Sequence, residues 1–145
     1  YGDHLINIAH EQGVEPVDLT YVRGEPLPWF RGAPGNAVLA FMGNALVRKL
    51  FDKFHEGPED ADAWRTCRAR LKSVRQAGYC VSRGELQPDV VGFGVPVIPV
   101  DEPIGSISLV CSRARAELLD ADGIGELLVA RARELAAQIA EHRAG

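Results

Sequence analysis

Two apolar runs, Val90–Val97 and Ile104–Ser112, constrain the fold more than any other part of the chain. The first is rich in β-branched residues, the turn residues Asp101-Glu102-Pro103 follow it, and the second returns as the partner strand of a hairpin. Gly92 and Gly94 interrupt the first run. No helix start follows them, so Gly92-Phe93-Gly94 is not a dinucleotide-binding fingerprint. Glycines placed mid-strand allow close approach of a ligand or of another stretch of backbone.

The flanking sequence alternates between helix and strand signals. Asp3 is positioned to cap a short helix over His4–Gln12, with Leu5, Ile8 and Ala9 on one face and Gly13 ending it. Val17, Leu19 and Tyr21 alternate with Asp18, Thr20 and Val22, the period of a half-buried strand, and Arg23-Gly24-Glu25-Pro26 turns the chain. Residues 27–35 form an irregular aromatic loop. A long helix is expected from Asn36 to Phe54, with Leu39, Met42, Leu46 and Leu50 at helical spacing and Gly57-Pro58 as its stop. A third helix, Glu59–Ala77, buries Trp64, Cys67, Leu71 and Val74 and carries Arg65, Arg68, Lys72 and Arg75 on a neighbouring face. Tyr79–Ser82 reads as a strand, Arg83–Asp89 as a polar loop, and Ile124–His142 as a closing helix with Leu127, Leu128, Leu135 and Ile139. Strands grouped beside segregated helices give an α+β fold with an antiparallel sheet.

A chain of 145 residues fits one domain, 1–145, with a core of its own. No apolar run approaches the roughly 18 residues of a membrane span, and no secretory signal opens the chain, which begins at Tyr1 and reads as a piece of a longer protein. The net charge of −4 argues that this piece does not itself grip DNA, because phosphate binding favours a basic excess. The stripe Arg65, Arg68, Lys72, Arg75 is accordingly read as a solvated helix face. Cys67, Cys80 and Cys111 are sparse and odd in number, which suggests reduced thiols in a cytoplasmic protein rather than a disulfide framework.

The search for catalytic chemistry is mostly empty. Nucleophilic catalysis needs a Ser or Cys backed by a base, and His4, His10, His55 and His142 all fall on expected helices or helix ends among polar neighbours. His4 and His10, six residues apart, do not share a helical face, and no cysteine pair supplements them as metal ligands. No catalytic residue, metal or cofactor is therefore expected. One arrangement remains. Gly32-Ala33-Pro34-Gly35 precedes the long helix, whose free N–H groups at Ala33, Gly35 and Asn36 offer an anion seat. The Gly92-Phe93-Gly94 strand and the Ser106–Ser112 strand present small residues on a sheet face, so a small acid fits between sheet and helix start, although a plain loop-to-helix transition accounts for the same residues equally well.

Several segments resemble a known pattern in order. Gly35-Asn36-Ala37-Val38-Leu39-Ala40 is similar to the Gly-Lys-Ala-x-Leu-Ala helix start of IclR-type effector domains. Leu71–Tyr79 is similar to their Leu-x-x-(Ile/Val)-Arg-x-x-Gly-Tyr segment. Glu85–Ile98 and Gly105–Ser112 resemble the strands that follow. The resemblance spans roughly residues 27–142 and implies a GAF-like antiparallel sheet with helices packed against it. It further implies an upstream winged helix-turn-helix that binds DNA, a small-molecule effector, and a homodimer or homotetramer with no membrane contact. By position it implies an effector site of Leu27, Ala33, Pro34, Gly35, Ser82, Val90, Gly92, Val110 and Ser112. The sequence departs from the pattern where the helix-start Lys is Asn36, where Trp29 and Phe30 replace small residues, and where Gly92 and Val110 replace polar ones. Only Ser112 of two expected strand serines is kept. The short stretch between Val22 and Leu27 leaves out strands the family normally has. Fewer polar groups imply a more apolar, aromatic effector rather than a short keto acid. The rival readings are a thiol-dependent enzyme on the same scaffold, using Cys80 or Cys111, and a dimerisation module without a ligand.

Overall fold

Period-two alternation in the hairpin builds the centre of the molecule. In the computed structural model, which describes residues 2–56 and 61–145, the chain runs β1 (Leu5–Ile6), β2 (Pro26–Leu27), α1 (Ala33–Leu39), α2 (Asn44–Phe54), α3 (Ala61–Ala77), β3 (Cys80–Arg83), β4 (Val90–Val97), β5 (Gly105–Ser112), α4 (Arg113–Ala116) and α5 (Ala121–Ala144). The main sheet has the order β3-β4-β5, all antiparallel, with β4 and β5 in register from Val90↔Ser112 to Val97↔Gly105. The fold is α+β, as the element order implies.

One side of β4 carries Val91, Phe93, Val95 and Val97, which with Cys111 are buried against Leu128, Ala132 and Ala136 of α5. With Gly125, the helix presents these mostly small residues at three- and four-residue spacing, so its axis lies close to the sheet. The other side of β4 carries Gly92 and Gly94, and here α1 arrives instead. A Cβ on Gly94 would lie 2.6 Å from the Ala33 carbonyl oxygen, so only glycine admits the α1 backbone at this distance. Ala33, Ala37, Leu39 and Ala40 then join Val47 and Leu50 of α2, Leu71 and Val74 of α3, and Cys80 in a second buried cluster.

Several expectations need correction. The helix expected over 36–54 is two, α1 and α2, with α2 capped at Gly43 in extended backbone. The last turn of α1 closes with Phe41 and Met42 N–H donating three residues back, to Val38 and Leu39. Arg75 of α3 finishes the job, donating to the carbonyls of Ala40 at 2.6 Å and Met42 at 3.4 Å. An arginine expected on a solvated stripe thus caps another helix, and Arg65 is also engaged, pairing with Asp62. Leu46, Leu127 and Leu135 were expected inside and remain 49%, 53% and 38% exposed.

The helix expected over His4–Gln12 does not form. Asp3 does not cap, because its carboxylate meets Lys53 at 2.6 Å and its carbonyl accepts from the Trp29 indole. Leu5 pairs with Leu27 in a two-stranded ribbon. Among the described residues the alternation at 17–22 has no neighbouring strand to pair with, and the Gln87 amide bonds Thr20 N–H and the Asp18 carbonyl instead. Tyr1, the Gly57-Pro58 stop and the first turn expected of the third helix at Glu59 lie outside the described residues. Among the described residues no helix is long and apolar enough to cross a membrane.

Candidate functional site

Strand register decides which of the expected site residues meet. Ser82, Gly92 and Val110 lie in one row across β3, β4 and β5, and Val90 pairs with Ser112 one step along. Side chains two apart share a face, so all five point to the side on which α1 sits. Ala33 and Gly35 are buried there, and Pro34 and Leu27 are half-buried. A Cβ on Gly92 would meet the Ala33 methyl at an ordinary 3.4 Å, so at this row the approach is between two parts of the chain. The carbonyls of Pro28 and Trp29 cover Gly35, where a Cβ would lie 2.1 Å from the Trp29 oxygen.

The turn into α1 depends on Gly32. Its φ of +89° lies in the left-handed region, and a Cβ there would meet the Leu86 side chain at 2.6 Å. Asn36, 2% exposed, donates from its side-chain amide to the Gly32 carbonyl at 2.8 Å. The anion seat is expected on the N–H groups of Ala33, Gly35 and Asn36, whereas the carboxylate that comes to this helix start, Glu85, lies against the N–H of Gly32. Glu85 accepts from the Gly32 N–H and the Ser82 hydroxyl. It is also held by both terminal nitrogens of Arg70, Nη2 at 2.6 Å from Oε2. Burial alone would raise the Glu85 pKa, but Arg70, Ser82 and the Gly32 N–H outweigh it and hold the carboxyl below its ordinary value.

One polar group on this face has no partner among the described residues. Ser108 pairs with Gly94 and so shares the α1-facing side with Val110 and Ser112, yet its hydroxyl oxygen is buried without a hydrogen bond. Sequence reading passed over Ser108, although its alternation with Ile107 and Leu109 places it on the serine face. Arg70 was missed as well. It lies three residues beyond Cys67 and four before Val74, so a charge on the buried stripe of α3 was the available signal.

A cavity of about 410 Å³ opens on the far side of α1, walled by Phe30, Asn36, Phe51, His55, Thr66 and Arg70 among others. Sequence reading did not anticipate it, since its walls come from separate helices and the aromatic loop. Another hollow, of about 390 Å³, lies between Phe41, Arg75, Pro96, Val129 and Arg133.

None of the thiols is activated. Burial raises the pKa of Cys80 despite the nearby Arg70, and burial likewise raises those of Cys67 and Cys111. Among the described residues no three His, Cys, Asp or Glu side chains cluster in a way that would hold a metal.

The model of the bacterial transcriptional regulator IclR C-terminal domain matches residues 1–139. Among solved structures, the chain is similar to the C-terminal domain of a transcriptional regulator from Vibrio cholerae, at 28% identity and a TM-score of 0.73, over 87% of this chain and 75% of that one. It is similar to the Thermotoga maritima IclR protein at 18% identity and a TM-score of 0.78, over 94% of this chain and 60% of that one. It is also similar to the inducer-binding domain of an Acinetobacter PobR double mutant in complex with 3-hydroxybenzoic acid, at 23% identity and a TM-score of 0.68, over 88% and 75% of the two chains. No curated protein matches the chain.

Proposed function

This chain belongs to the IclR family of bacterial transcriptional regulators, as a C-terminal domain, and on that premise we propose that it is the family member's sensor of a small-molecule effector. The effector is a small organic acid or an aromatic compound. It lies on the α1-facing side of the sheet, bordered by Leu27, Ala33, Pro34, Gly35, Ser82, Val90, Gly92, Val110 and Ser112. The observation that carries this reading is the Ser108 hydroxyl, buried on that face without a partner. A buried polar group left unpaired costs free energy, and a ligand oxygen that pairs with it recovers that cost. DNA is bound by an upstream winged helix-turn-helix, and the domain works in the cytoplasm without catalysing a reaction. The raised thiol pKa values weigh against the thiol-enzyme alternative.

Binding acts by favouring one of two quaternary arrangements, which requires different affinities for the two. The exposed Leu127 and Leu135 of α5 support a self-association surface there, in a homodimer or homotetramer. Light scattering on a Leu127→Glu, Leu135→Glu double variant tests this: the mass falls if α5 is the contact and stays the same if it is not.

A thermal-shift screen over short keto acids, hydroxybenzoic acids and phenols tests the sensor reading. A ligand at 100 times its dissociation constant adds about 2.7 kcal/mol, or roughly 5–10 °C for a domain of this size. A screen in which no compound shifts the midpoint overturns it.

A further inference from the structure

The cavity beyond α1 has the attributes of a ligand chamber in its own right. Its volume of about 410 Å³ falls within the span of small-molecule pockets. The walls named for it come from the aromatic loop and from α1, α2 and α3, and none from the sheet. Phe51 organises the aromatic side. Phe30 meets its ring edge-on at 5.4 Å between centroids, Trp64 does so at 5.0 Å, and His55 stacks on it at 4.2 Å with 15° between planes. Such an arrangement fixes ring faces and edges that a further aromatic ring can join.

The polar groups set the ligand's chemistry. His55 lines the cavity, and its Nε2 is buried without a hydrogen-bond partner among the described residues. A neutral imidazole nitrogen is either a donor or an acceptor, and a hydroxyl group can answer both. Asn36 is locked in place by its bond to the Gly32 carbonyl, so its amide is a fixed feature of the wall. The charges are already matched: Arg70 is held by Glu85, and Asp62, also in the wall, pairs with Arg65 at 3.1 Å. Glu85 already balances the Arg70 charge, so a second carboxylate entering beside it and Asp62 would bring a net negative charge into a partly buried site, which is unfavourable.

We infer that this chamber is a second small-molecule site, distinct from the sheet face, and that it takes an uncharged single-ring compound bearing one hydroxyl, of the phenol type. The ring lies among Phe30, Phe51 and His55, and the hydroxyl answers the imidazole. The chamber meets the sheet face through one ion pair. Arg70 lines the cavity while its partner Glu85 bonds Ser82 and Gly32 on the other side of α1.

The test uses ¹⁹F NMR titration of the whole domain with two probes, 4-fluorophenol and 4-fluorobenzoate, near neutral pH, where the phenol is uncharged and the benzoate ionised. 4-Fluorophenol is expected to bind at least ten-fold more tightly than 4-fluorobenzoate. Thr66→Trp, at an exposed helix position, places a ring in the cavity mouth and should weaken phenol binding at least ten-fold without lowering the melting midpoint. His55→Phe keeps a ring against Phe51 but removes the nitrogen, and should weaken it at least three-fold. Equal or tighter binding of the benzoate overturns the inference, as does phenol binding that Thr66→Trp and His55→Phe leave unchanged. Phenol binding lost in Ser108→Ala moves the ring to the sheet face, which overturns the chamber while supporting the sensor reading. If neither probe binds while a keto acid stabilises the domain, the chamber fails and the sensor reading stands.

Discussion

The two faces of β4 come from one strand and do opposite things. Val91, Phe93, Val95 and Val97 face α5 and are at most 5% exposed, a dry layer in which each side chain fills space. Gly92 and Gly94 face α1 among Cys80, Ser82, Ser108 and Ser112, where small size admits a helix backbone and leaves polar groups to be answered. The first face holds the fold, while the second combines tight packing at Gly94 with an unpartnered hydroxyl at Ser108. The proposed effector site lies on the second face because packing there leaves the Ser108 hydroxyl unanswered.

The most damaging way to break this contrast is Phe93→Ala. Phe93 is fully buried in the α5 layer, and truncating such a ring costs about 3–5 kcal/mol. Urea denaturation should show this loss in the midpoint with an unchanged slope. On the α1 side the sensitive position is a glycine. Gly94→Ala places a methyl 2.6 Å from the Ala33 oxygen and 2.9 Å from its carbonyl carbon, so backbone must move. A loss of about 1–3 kcal/mol is expected. Gly92→Ala meets only the Ala33 methyl at 3.4 Å and should change stability by less than about 0.5 kcal/mol. Equal effects from the two glycine variants would mean that α1 does not sit where the structure places it.

Glu85 sharpens the contrast electrostatically. Its carboxyl is held below the ordinary value of 4.5 in the folded chain, so the unfolded chain binds the proton more readily. The stability it contributes is fully present above that ordinary value and drains away as pH falls through the lower folded value. Glu85→Gln leaves Arg70 half-buried without its partner and should cost about 1–2 kcal/mol near neutral pH. The difference between wild type and variant should shrink as the pH falls below 4.5 and through the lower folded value. Denaturation curves at several pH values check this, and a constant difference would rule out the pairing as its cause.

How much of this was legible beforehand depends on the range of the interactions. The hairpin and α5 could be read because their periods repeat over many residues, and the strand positions that the family resemblance implied, Ser82, Val90, Gly92, Val110 and Ser112, do share a side. The break after Leu39 was not legible, because the arginine that caps it comes from α3, thirty-five residues on from Ala40. The ribbon at Leu5–Ile6 was not legible either, since Leu27 decides it. The Arg70–Glu85 pair and the aromatic cavity belong to the same class. Each joins segments whose meeting no local pattern records.

The smallest expected change in stability carries the most information about function. Removing the Ser108 hydroxyl by Ser108→Ala takes away a buried oxygen that no protein group satisfies. Deleting a paired hydroxyl destabilises a fold, whereas deleting an unpaired one relieves a desolvation cost. Ser108→Ala should therefore leave stability unchanged or raise it by up to about 1 kcal/mol. The same substitution should weaken binding of an effector on the sheet face by about ten-fold, the worth of one buried hydrogen bond at roughly 1.4 kcal/mol. Isothermal titration beside urea denaturation separates the two effects. A variant that loses stability and keeps its affinity would mean that the hydroxyl is bonded within the fold, and the α1-facing side would then be as finished as the dry face opposite.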